Sequence, residues 1–181
     1  MKEQRRAYPT ACTVSRRPPY RTEEPRFYRC STCGMVQVRY QAAGAQSAGE
    51  EEPGRCCGKA LTREIPCRDE RCLAEHEMRF SIFGGSEHNA VRVEVAAGLH
   101  PMTEEHHIEW IFLHTFQGGQ MKYIPRYGRS VATFCMADED AFVFCDREVC
   151  RMGWEHCLFQ CKRGHRAYAY CSQHGLFQLT F

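Results

Sequence analysis

Thirteen cysteines in a chain of 181 residues limit its folding choices more than any other feature. Residues 1–20 carry Arg5, Arg6, Arg16 and Arg17 with no apolar stretch behind them, so the expectation is a cytoplasmic protein without an export signal. In that setting thiols serve as metal ligands or redox groups rather than as a disulfide framework. The odd cysteine count points the same way. Nine histidines add a second pool of ligands, and imidazole with thiolate suits iron, zinc or copper rather than magnesium or calcium.

Spacing separates these ligands into groups. Cys30 and Cys33 form a C-x-x-C knuckle, in which two thiolates of one turn face the same ion, and Cys56 with Cys57 supply a second pair. Four thiolates make a closed tetrahedral site for iron or zinc. The alternatives are a zinc knuckle that only staples the fold and a vicinal Cys56–Cys57 disulfide, whose geometry is strained. Around these cysteines, residues 27–40 read as a hairpin and residues 41–54 as a small-residue connection. A module of residues 27–64 is too small to bury much apolar area and needs a metal. Residues 1–26 read as a basic flexible tail.

Beyond the module the pattern is all-β. Residues 78–83, a turn at 84–89, and Val91, Val93 and Val95 alternating with Arg92 and Glu94 predict one half-buried hairpin. Residues 108–115, Gly118, Gly119 and residues 121–124 predict a second, with further strands at 130–136 and 166–170. Short strands divided by turn signals indicate an immunoglobulin-like β-sandwich. No helix of several turns is expected. A net charge of +2 does not announce a nucleic-acid partner, and no apolar run is long enough to span a membrane.

The run H-P-M-T-E-E-H-H-I-E-W at 100–110 and the ending Y-C-S-Q-H-G-L at 170–176 offer three imidazoles and a thiolate. Both resemble the desulfoferrodoxin family of superoxide reductases. F-Y-R-C-S-T-C-G at 27–34 and C-C-G at 56–58 resemble its desulforedoxin-like module. The resemblance covers most of residues 27–181 and is interrupted by an insertion at 138–164. It implies a sandwich domain over 65–181 and a square-pyramidal ferrous centre, with His76, His100, His106 and His174 equatorial, Cys171 axial and the sixth position open. His76 takes the family's upstream position and His88 is the competitor, on the turn of the first hairpin. His107 and His114 are read as packing or surface residues.

Two departures stand out. The family's upstream histidine follows Glu-Lys, the lysine being thought to attract superoxide and deliver a proton, whereas this chain has Ala74 and Glu75. That charge reversal weakens steering of an anion, and Arg79 or Lys59 are the candidates to compensate. The insertion holds Cys145, Cys150, Cys157 and Cys161, with His156 and His165 alongside. These four cysteines are candidates for a third metal, against a disulfide pair or buried free thiols. Cys12, Cys67, Cys72 and Cys135 have no assigned partner.

The resemblance implies an enzyme that reduces superoxide to hydrogen peroxide, re-reduced by a small donor such as rubredoxin and paired as a homodimer. The four-cysteine site then holds a second iron, or zinc. The alternatives are a non-catalytic iron-binding or electron-transfer protein of the same fold and a zinc-stapled interaction module.

Overall fold

The computed structural model describes residues 23–41, 53–85, 88–137, 140 and 162–181. Strands β1 (Arg26–Arg29), β2 (Val36–Arg39) and β5 (Thr62–Glu64) form one small antiparallel sheet in the order β2-β1-β5. Between β2 and β5 lies a two-residue-strand hairpin, β3 (Arg55–Cys56) and β4 (Lys59–Ala60). A short helix, α1 (Glu70–Glu75), leads into the main body.

That body is two antiparallel sheets sharing one core. The first has the order β10-β7-β6, from β6 (Met78–Gly84), β7 (Asn89–Val95) and β10 (Val131–Met136). The second has the order β12-β11-β8-β9, from β8 (Ile108–His114), β9 (Gly119–Tyr123), β11 (Arg166–Cys171) and β12 (Gly175–Thr180). Period-two alternation explains β7, where Val91, Val93 and Val95 are buried and Arg92 and Glu94 are not. The expected sandwich is the observed fold, and both expected hairpins pair in antiparallel register. Gly84 opens the first turn at φ 77°, and a Cβ there would lie 1.5 Å from the His88 carbonyl oxygen, so only glycine fits.

Strands β8 and β11 are buried on both faces, which alternation alone does not explain. Their inner residues Ile111, Leu113, Ala167, Ala169 and Cys171 join the sandwich core. Their outer residues Trp110, Phe112, Tyr168 and Tyr170 are covered by Phe27 of β1. The Phe27 ring lies 5.2 Å from Trp110, 5.3 Å from Phe112 and 4.9 Å from Tyr168. The small sheet therefore docks on the outer face of the second sheet, and the Arg29–Glu109 ion pair at 2.7 Å fastens the same seam. Sequence reading missed α1, the β3–β4 hairpin, β5 and β12, all short or lacking a clear alternating pattern. Among the described residues, no helix is long and apolar enough to cross a membrane.

Candidate metal centres

Four histidine rings meet at one end of the sandwich, delivered by the end of α1 (His76), the β7–β8 connection (His100 and His106) and the β11–β12 turn (His174). His76 is the C-cap of α1, whose N-cap Asp69 accepts from the Cys72 amide at 2.9 Å. The Cys72 carbonyl accepts the His76 backbone N–H at 3.1 Å and faces His76 Nδ1 at 2.8 Å. A carbonyl only accepts, so Nδ1 carries the proton and Nε2 is left as a lone-pair donor. His100 repeats the device, with Nδ1 at 2.6 Å from the Pro101 carbonyl. His106 is held by Thr103, whose Oγ1 accepts its amide at 3.0 Å and whose own amide donates to the His106 carbonyl at 2.9 Å.

Cys171 ends β11, where a bulge between Tyr170 and Cys171 shifts the register against β8. Its thiol is fully buried, 3.6 Å from His100 Nε2 and 3.5 Å from His174 Nδ1. His174 follows one tight turn later. The turn is tied to the His106 loop: the Ser172 amide donates to the His107 carbonyl at 2.9 Å, and Ser172 Oγ donates to the Glu105 carbonyl at 3.1 Å.

The rings form a near-square. Neighbouring centroids are 4.8 Å apart for His76–His100, 4.6 Å for His100–His106, 4.9 Å for His106–His174 and 4.8 Å for His174–His76. The His76–His106 diagonal is 6.3 Å. One donor atom each from His76, His100, His106 and Cys171 lies within 4.8 Å of the others. His76 Nε2 and His106 Nε2 are buried with no hydrogen-bond partner. Buried polar atoms are rarely left so, and a metal ion shared by these donors relieves the cost. Burial holds the His100 pKa down at about 4 and lowers those of His76 and His106, so all three are neutral near pH 7, the ligating form. Burial raises the Cys171 pKa, opposed by backbone N–H groups of Gln173 and His174 directed at its sulfur.

Of the other histidines, His88 sits at the β6–β7 turn and is not in this group. His107 faces the opposite way, lining a cavity with Arg29, Cys33, Glu109, Tyr123 and Arg126. His114 stacks on Tyr40 at 5.8 Å. Glu75 is exposed at the end of α1, and its negative charge is felt at His76 and His106. Arg79 is ion-paired with Glu77 at 2.8 Å, and Lys59 lies on the β3–β4 hairpin opposite Cys56.

The second group is Cys30, Cys33, Cys56 and Cys57, again within 4.8 Å of one another. The Gly34 amide donates to the Cys30 carbonyl at 2.9 Å to close the knuckle. Cys57 at φ 51° and Gly58 at φ 76° turn the β3–β4 hairpin. Cys33 Sγ is 3.5 Å from Cys56 Sγ, and Cys56 Sγ is 3.8 Å from Cys57 Sγ, a contact and not a disulfide. N–H groups of Cys33 and Thr32 pull the Cys30 pKa down to about 6, while the Cys33 and Cys30 sulfurs push Cys56 up to about 12. Four crowded sulfurs resist becoming four thiolates without a cation among them.

The cysteines Cys145, Cys150, Cys157 and Cys161, with Cys12 and His156, lie outside the described residues. His165 is described and packs edge-on against Phe116 at 4.9 Å. The sequence reading overlooked the residues that aim the ligands, above all Cys72, Thr103 and Ser172. The available signal was D-x-x-C-x-x-x-H at 69–76, a capped turn with cysteine and histidine four apart.

The family model for desulfoferrodoxin matches residues 82–180, which include His100, His106, Cys171 and His174 and not His76. No curated protein matches the sequence. Among solved structures, the superoxide reductase from Treponema pallidum is similar with a TM-score of 0.58 at 22% identity, over 87% of this chain and 98% of that one. The 1Fe superoxide reductase from Giardia intestinalis gives 0.37 at 23% identity, over 59% of this chain and 96% of that one. The superoxide reductase from Nanoarchaeum equitans gives 0.31 at 18%, over 59% and 91%. The Treponema comparison establishes a shared fold.

Proposed function

We propose that this chain, which belongs to the desulfoferrodoxin family, reduces superoxide to hydrogen peroxide at an iron held by His76, His100, His106, His174 and Cys171. The observation that carries this reading is the near-square of four imidazoles against a buried thiol, with two of its Nε2 atoms buried and unpartnered. If these residues held a ferrous ion, it would supply the one electron that superoxide needs, with two protons from solvent completing hydrogen peroxide and a small donor such as rubredoxin returning the electron.

The chain's own residues do the rest. The Cys72 and Pro101 carbonyls fix two rings so that Nε2, not Nδ1, is offered. Burial keeps the His76, His100 and His106 rings neutral, so a divalent ion held by them would retain its positive charge toward an anion. The amides of Gln173 and His174 temper the electron density of the Cys171 sulfur. Glu75 works against approach of superoxide, and that favours one second reading, an iron-binding or electron-transfer protein of the same fold with weak superoxide chemistry.

The same reading takes residues 27–64 as a desulforedoxin-like unit holding iron or zinc at its four cysteines, residues 65–181 as the reductase unit, and the protein as a cytoplasmic homodimer. Metal analysis with a visible spectrum is the direct test. In a Cys30→Ser/Cys33→Ser background, in which the four-cysteine group cannot contribute, iron bound with a thiolate-to-iron absorption that disappears on adding Cys171→Ser is the expected result. Zinc alone, or an absorption that survives the substitution, overturns the assignment.

A further inference from the structure

Two cysteines outside both metal groups meet beside His76. Cys67 lies between β5 and α1, anchored where its amide donates to the Leu176 carbonyl of β12 at 2.7 Å. Cys72 is in the first turn of α1, fixed by its amide's hydrogen bond to Asp69. Both pack half-buried against the edge of the sandwich core, and burial together with the neighbouring Cys67 thiol pushes the Cys72 pKa up to about 11, so Cys72 stays protonated until it reacts. Neither is in a disulfide. Cys67 also lines a groove of about 660 Å³ together with Ile65, Arg68, Leu73 and Leu176, so one thiol of the pair is reachable from solvent. The other abuts the metal group, with Cys72 Sγ 3.9 Å from His76 Nδ1 and the Cys72 carbonyl holding that same nitrogen.

We propose that Cys67 and Cys72 are a peroxide-oxidised dithiol whose closure to a disulfide acts on His76 through the first turn of α1. The Cys67 sulfur attacks one oxygen of hydrogen peroxide, the O–O bond breaks, and Cys67 becomes a sulfenic acid with release of water. The Cys72 sulfur then displaces the hydroxyl, which leaves as a second water with the Cys72 proton. Two thiols and one peroxide thus give one disulfide and two waters. Four residues separate the pair, so the new bond closes a tight loop across the N-cap of α1. The carbonyl that sets the His76 tautomer belongs to Cys72 itself, and strain in that turn reaches His76 with no intervening residue. A hydrogen bond of this kind to a metal-binding histidine changes metal affinity about 10-fold to 100-fold. The inference rests on the proposed function for a metal at His76 and for the source of the peroxide, which in the test is added.

The full-length, metal-loaded protein is treated with a small excess of hydrogen peroxide, alkylated, and digested with trypsin without reductant. Cleavage after Arg63, Arg68, Arg71 and Arg79 places Cys67 in peptide 64–68 and Cys72 in peptide 72–79. The expected result is a covalent 64–68/72–79 pair, about tenfold or more above the untreated control and lost on adding dithiothreitol. Metal release from the histidine group to a chelator becomes about tenfold faster in the oxidised protein. Cys67→Ser abolishes the linked pair and keeps metal release at the untreated rate. Recovery of the two peptides separately alkylated, or linked to other cysteines, overturns the dithiol. Unchanged metal release in the linked protein, or peroxide-accelerated release in Cys67→Ser, overturns the action on His76. Because no superoxide is used, failure here is distinct from failure of the reductase reading.

Discussion

Phe27 is the side chain on which attachment of the N-terminal sheet depends, and Phe27→Ala measures how much. The ring is 1% exposed and lies within 5.3 Å, centroid to centroid, of Trp110, Phe112 and Tyr168. Truncating a buried phenylalanine costs about 3–5 kcal/mol. The small sheet has little to offset this, since its own buried cluster is Tyr28, Cys30 and Leu61. The partly buried Arg29–Glu109 pair adds roughly 1 kcal/mol at most. A loss of about 4 kcal/mol raises the opening equilibrium of this sheet roughly 10³-fold. Hydrogen exchange is the assay, because it reads each sheet separately. Amides paired between β1 and β2 and between β1 and β5 are expected to lose protection by about that factor, while β7 and the β8–β11 ladder keep theirs. Protection of β1 within about tenfold of the parent would refute the reasoning and leave the four-cysteine metal as the dominant fastener.

Further consequences follow from single residues. Burial holds the His114 pKa at about 4, below its ordinary value, so the folded protein keeps this ring neutral while the unfolded chain protonates it. Stability from this group is complete above about pH 6.5 and falls as the pH drops toward 4, by roughly 3 kcal/mol in all. His114→Asn flattens that part of a urea-unfolding profile of the metal-loaded protein, and an unchanged slope contradicts the assignment. Glu75→Lys changes the local charge by two and is expected to speed reaction with superoxide about tenfold or more at low salt, less at high salt. A rate indifferent to both the substitution and salt means that Glu75 does not set the field at the histidine group. Cys33→Ser removes one of four sulfurs, and metal analysis should show one metal fewer per chain with the histidine group still loaded. Loss of both metals would show that the groups are coupled.

The sandwich was legible because β7 alternates strictly and the two hairpins carry glycine turns, so period and turn chemistry agreed. The double burial of β8 and β11 was not, because the cover over Trp110 and Tyr170 comes from Phe27, more than eighty residues away in sequence. His100, His106, Cys171 and His174 were readable from two compact motifs. His76 could be placed only by loop position, and the family match begins after it. The structure adds what spacing could not, the ring geometry that puts His76 at a corner of the square. The carbonyls of Cys72 and Pro101 escaped notice because backbone acceptors leave no residue-type signature. Cys67 and Cys72 read as unassigned for a related reason: the turn that joins them is made by Asp69, a capping residue, and not by a metal motif.

Pulse radiolysis of the iron-loaded, reduced protein tests superoxide reduction at the histidine group most directly. The expected result is oxidation of the ferrous centre at a rate proportional to superoxide, with one superoxide consumed and one hydrogen peroxide formed per iron and no dioxygen released. A ferrous centre that stays reduced while superoxide decays at its spontaneous rate, with dioxygen evolved, would contradict it.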